Sequence, residues 1–207
     1  MRGWLHTYAF FAALICGVVL CSLAATRPGI APLVSVAIYS VSVCGLFGVS
    51  ALYHRRVWSP QGYALMRRLD HSMIFIFIAG TYTPFSVLLL EPGPATVILA
   101  VVWGGAVTGV IMKMAWPHAP RWASAPLYVA LGWVAVFVLP DILHRGGLAA
   151  LVLLIVGGAA YTVGAVFYAL RRPNPWPNHF GHHEFFHACT LVAAACHQVA
   201  LYFALFA

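Results

Sequence analysis

His183 and His187 stand four residues apart in the run His183-Glu184-Phe185-Phe186-His187. On a helix that spacing puts both imidazoles on one face, one turn apart, where they can grip a single metal ion. A third imidazole, His54, closes the distant segment Ser50-Ala51-Leu52-Tyr53-His54. Three protein ligands with a fourth position left open is the catalytic arrangement of zinc, and imidazole ligands favour zinc over magnesium or calcium. Ser50 lies four before His54, on the same helical face, suited to a supporting hydrogen bond or to holding a water. Asp70, followed by His71 and Ser72, offers a carboxylate that can accept a proton from an attacking water or orient it. The expected site therefore has His54, His183 and His187 on Zn2+, with Asp70 and Ser50 as the catalytic residues.

The same run matches HExxH, the zinc-metalloprotease pattern in which the glutamate, here Glu184, is the general base. That pattern usually takes a third ligand downstream. Only 20 residues follow His187, and the sole histidine among them is His197. His197 lies ten residues on, about 15 Å along a helix, too far for the same ion. A protease reading must therefore borrow an upstream ligand, and it stands as an alternative. His182 has Phe186 as its i+4 neighbour and no partner on its own face. Pro177 and Gly181 put His179 in the loop before the helix. His71 reads as an ordinary interfacial residue, and His6, His118 and His144 as interfacial or loop residues. Phe75, Phe77, Phe185 and Phe186 read as packing or lipid-facing residues.

The elements that must carry these residues are membrane spans. Of 207 residues, 63% are hydrophobic and 7% are charged, against about a quarter charged in an ordinary soluble domain. That excludes a soluble globular protein and a disordered chain. A spanning helix needs about 20 mainly apolar residues, and seven stretches qualify: 5–24, 32–53, 71–90, 95–112, 124–141, 147–170 and 183–206. The breaks are short and rich in Pro, Gly or Arg, so the chain reads as a single all-α transmembrane domain over 1–207, a seven-helix bundle. The first stretch has some signal-peptide grammar but is read as a retained helix, because the charge pattern then alternates consistently.

Lys and Arg set the orientation. With the N-terminus in the cytoplasm, Arg2, Arg55, Arg56, Arg67, Arg68, Lys113, Arg121, Arg171 and Arg172 fall inside, and only Arg27 and Arg145 outside. The expected topology is N-terminus in and C-terminus out. The net charge of +7 then serves topology and anionic headgroups, and a nucleic-acid partner is excluded. The five cysteines, Cys16, Cys21, Cys44, Cys189 and Cys196, show no CxxC spacing and lie in apolar stretches. They read as buried free thiols. On this topology His54, Asp70, His183 and His187 all fall in one cytoplasmic-side layer. Ionisable groups at membrane depth are costly and mark function.

The chain resembles the hemolysin III branch of the progestin and adipoQ receptor family over nearly its whole length. The resemblance is carried by Ser50-x3-His54, by Leu69-Asp70-His71-Ser72 with Gly80-Thr81-Tyr82-Thr83-Pro84, and by His183-x3-His187. That family is similar to alkaline ceramidase-type membrane hydrolases. The resemblance implies zinc on His54, His183 and His187, the family aspartate at Asp70 and the family serine at Ser50. Glu184 falls where the receptor branch can carry Gln, which shifts the base role from Glu184 towards Asp70. The expected function is zinc-dependent hydrolysis of a lipid amide or ester at the cytoplasmic side of a bacterial-type inner membrane, with membrane lipids as partners. The alternatives are a non-catalytic, zinc-stabilised receptor or sensor, a cytolytic pore and the intramembrane protease.

Overall fold

A computed structural model describes residues 3–116, 121–176 and 179–207, the stretch 121–125 by its backbone alone. Arg2, His118 and Pro177 lie outside the described residues. The helices are α1 Trp4–Ala24, α2 Ala31–Arg55, α3 Pro60–Leu89, α4 Pro92–Ala115, α5 Arg121–Trp133, α6 Leu139–Leu170 and α7 His182–Leu205, with a 3₁₀ segment, Val134–Val138, between α5 and α6. Among the described residues there is no strand. Four helices, α2, α3, α4 and α6, carry Pro in the first turn. There the missing N–H costs nothing and the fixed φ is already helical.

Two element boundaries differ from the hydropathy reading. α3 begins eleven residues before the predicted position 71, at Pro60, with the Ser59 hydroxyl accepting the Gly62 N–H at 3.2 Å. Arg67, Arg68 and Asp70 therefore sit on a helix, not in a loop. The Ser-Pro start signal was present in the sequence, but the polar first turns hid it from an apolar window. The second difference concerns the predicted spans 124–141 and 147–170. The break expected over His144–Gly147 narrows to Gly147, whose φ of 79° and ψ of 172° are non-helical.

Among the described residues, six helical stretches are long and apolar enough to cross a membrane, and one of them, Pro126–Leu170, is 45 residues long. A straight helix of that length would measure about 68 Å, over twice the hydrocarbon core. It does not run straight. The Trp133 indole donates to the Thr162 hydroxyl at 3.3 Å, so residues on either side of Gly147 lie side by side. Gly147 is the apex of a helical hairpin, and its positive φ explains the glycine.

The descending arm of that hairpin has an irregular middle. Pro140 has no N–H to offer the carbonyl of Val136, and the backbone tightens to 3₁₀ just before it. Tyr82 of α3 repairs the damage. Its hydroxyl donates to the Gly132 carbonyl at 2.6 Å and accepts the Ala135 N–H, also at 2.6 Å. Irregular backbone inside an apolar medium needs such partners.

α3 is the central helix, packed against α2, α4, α5, α6 and α7, while α1 lies on α2 and α7. Small residues permit the close approaches. A Cβ at Gly80 would strike the Ser42 side chain, with Ser42 Cβ 2.7 Å away, and one at Gly164 would lie 2.9 Å from Cys189 Cβ. These are the small-residue contacts expected between helices in lipid. Outward faces carry exposed apolar side chains such as Ile15, Val18, Val41, Ile111 and Phe137, and the five cysteines are unpaired.

Candidate metal centre

The C-terminal end of α2, the early turns of α3 and the first turns of α7 meet at one end of the bundle, called here the basic end. Glu91 and Arg145 form an ion pair at the opposite end. At the basic end, one ring nitrogen from each of His54, His183 and His187 lies within 4.8 Å of the other two. The ring centroids form a near-regular triangle: 4.9 Å for His54–His183, 5.2 Å for His54–His187 and 4.6 Å for His183–His187. His187 is 3% exposed and the other two are half-buried. Two nitrogens on one tetrahedral zinc, at about 2.05 Å each, stand about 3.4 Å apart. The Nε2 atoms of His54 and His183 are 3.2 Å apart. The donor set and its spacing fit zinc.

Asp70 reaches this end from α3 and lies beside Ser50, one turn before His54. Ser50 is buried. An Asp70 oxygen is 3.6 Å from His71 Nδ1, which lies 2.7 Å from the Arg67 carbonyl. Ser50, His54, Asp70, His183 and His187 all line one cavity of about 880 Å³. The structure thus brings together all five residues expected from the sequence.

It also places the remaining histidines. His179 lies in the turn Trp176–Phe180 ahead of α7. His197, deeper in α7, is buried with Nε2 3.4 Å from the Leu154 carbonyl, and it touches the cavity far from the triad. Glu184 has a specific use. Its carboxylate accepts the Gly181 N–H at 2.9 Å, capping the start of α7. The cap holds His183 and His187 in register, and it occupies the carboxylate that a protease reading needs as base.

One residue escaped the sequence reading. His6, taken there as interfacial, is buried on α1, and its ring stacks on His187 with centroids 3.8 Å apart and planes 10° apart. It also packs on Phe47. Gly3, at φ 81°, lets the start of α1 lie on the end of α2; a Cβ there would be 3.0 Å from His54 Cβ. The signal was the orientation itself, since His6 starts a span at the same end as the other histidines.

A family model described as haemolysin-III related matches residues 1–198. The chain belongs to that family. Hemolysin-3 of Bacillus cereus is 32% identical over 139 residues, 67% of this chain and 63% of that protein. The hemolysin-3 homolog of Bacillus subtilis is 29% identical over 163 residues, 79% of this chain and 73% of that protein. The human monocyte to macrophage differentiation factor is 26% identical over 170 residues, 80% of this chain and 68% of that protein. No solved structure matches. Family and apolar helices together make this member of the haemolysin-III family an integral membrane protein. Its motif residues His54, His183 and His187 form one cluster, and Asp70 lines the same cavity.

Proposed function

We propose that the protein is a zinc-dependent membrane hydrolase of lipid amides or esters, acting from the cytoplasmic face of a bacterial inner membrane. The observation that carries this reading is the three-imidazole set with the Ser50–Asp70 pair beside it, at the head of a long apolar cavity. If the two arms on either side of Gly147 each cross the membrane, the chain makes seven crossings, and the distribution of Lys and Arg would then turn the basic end to the cytoplasm. Zinc at the triad would polarise a carbonyl and bring the pKa of a water near 7.

Asp70 accepts the proton of the attacking water. The cavity follows one stripe of α3, through Ile74, Phe77, Ile78, Thr81, Phe85 and Leu90. From Asp70 to Leu90 that stripe is about 30 Å long. This length and apolarity suit an acyl chain and exclude bulk water from the reacting carbonyl. The same lining speaks against an ion-conducting lumen, and the Glu184 cap speaks against a protease.

The test is release of fatty acid from N-acyl and O-acyl lipids, including ceramide, by purified zinc-loaded protein. Wild type turns over at least one class; His187→Ala and Asp70→Asn do not, and only His187→Ala loses zinc. A second reading rests on helix placement. The triad joins α2 to α7, two helices that otherwise share little packing, so zinc there would also serve as a tie in a non-catalytic receptor or sensor. Loss of thermal stability in His187→Ala with no lipid released by wild type would select that reading.

A further inference from the structure

The chain has four carboxylates, Asp70, Glu91, Asp141 and Glu184, and all four are among the described residues. Glu91 is ion-paired with Arg145, and Asp141 lies in the first turn of α6, before the Gly147 apex, at that same opposite end. Glu184 caps α7. Asp70 alone faces the basic-end mouth of the cavity. Four cations line that same mouth: Arg56, Arg67, Arg68 and Lys113. Among the described residues, the ion pairs of these carboxylates involve none of the four.

Charges that only set topology can sit in the headgroup water. Lys113 does not: it is 6% exposed, its charged neighbour is Arg67, and its ammonium lies 5.9 Å from the centroid of the Tyr128 ring, at the outer limit of a cation–π contact. Arg68 Nε is buried with no hydrogen-bond partner. A buried cation needs a counter-charge, and four cations share this mouth with a single carboxylate, Asp70.

We infer that this mouth binds the phosphate group of the ligand, held by the Lys113 ammonium and the Arg67 and Arg68 guanidinium groups. Planar guanidinium pairs phosphate oxygens two at a time, and the ammonium adds a point charge. The inference rests on the cavity being a lipid site and narrows its occupant to a phosphate-bearing lipid, with the acyl chain along α3. The same chemistry would accept free phosphate, so the test separates the two sources.

The test measures equilibrium binding to the full-length, zinc-loaded protein in uncharged micelles. Three probes are used: 1-oleoyl lysophosphatidic acid, 1-monooleoylglycerol with the same acyl chain, and inorganic phosphate. Wild type prefers the phosphate-bearing lipid by about tenfold or more, as one or two charge-assisted hydrogen bonds would give. The Lys113→Met/Arg67→Gln double variant loses that preference but keeps its affinity for monooleoylglycerol, its zinc content and its thermal stability. Lys113→Arg retains the preference. Inorganic phosphate binding as tightly as the lysolipid would support the anion site with the free ion as its source.

Equal binding of the two lipids by wild type, an undiminished preference in the double variant, or binding of neither lipid would overturn the inference. Hydrolysis of a neutral lipid amide without phosphate preference would remove this inference and leave the hydrolase reading standing. A phosphate preference without turnover of any lipid would do the reverse.

Discussion

His6 is the residue that most changes the picture of the metal centre. A ligand imidazole binds well only if its ring is held in the right plane, and residues that hold it typically matter 10–100-fold for metal affinity. The stacked His6 ring, 3.8 Å from His187, fixes that plane from α1. His6→Ala is expected to weaken zinc affinity by about tenfold, while His6→Phe, which can still stack, keeps most of it. Competition with a fluorescent chelator would read both, and equal affinities for wild type and His6→Ala would refute the role. At the same scale, Ser50→Ala should keep stoichiometric zinc while losing most of any hydrolytic rate, because Ser50 lines the cavity beside Asp70 and no metal ligand is removed. Ser50 with His54 and His183 with His187 could be proposed from their i,i+4 spacing, and Asp70 as one of only four Asp and Glu residues in the chain. The His6–His187 contact joins residues 181 positions apart, and no spacing rule reaches that far.

At the scale of elements, the helices were legible where they are apolar and obscure where they are not. The first turns of α3, with Gln61, Arg67 and Arg68, fell below an apolar window although Ser59-Pro60 announces a helix. The 3₁₀ segment was invisible because Tyr82, which sustains it, lies on another helix. Tyr82→Phe deletes both the donor to Gly132 and the acceptor for Ala135. Two backbone groups of the irregular stretch lose their partner where an apolar medium offers no water in its place, at about 1–3 kcal/mol each. The variant should melt at lower temperature, with faster amide exchange confined to 131–138. Gly80→Val forces a branched side chain into Ser42 and should separate α2 from α3, lowering thermal stability more than Gly104→Val, where no atom lies within 4 Å of the added Cβ.

For the whole molecule, orientation is the property on which the functional reading depends. Alkaline phosphatase fused to the C-terminus should be active in the periplasm, and an inactive fusion would move the histidines to the other face. That the chain is a membrane protein followed from composition, since 7% charge leaves no water-facing surface to build, and its all-helical fold from the length of the apolar stretches. The hairpin at Gly147 was only half legible: its two arms were read as separate spans, but the turn proved a single residue wide. The stack of His6 on His187 has a further consequence for how the molecule is made. His6 leaves the ribosome near the start of synthesis, His54 soon after, and His183 and His187 last. A chain stalled before α7 presents a single imidazole of the triad, so it can hold no zinc there. Any metal capture at the triad must therefore follow the synthesis of α7, and a loaded centre would report that the starts of α1 and α7 have reached the same side of the membrane.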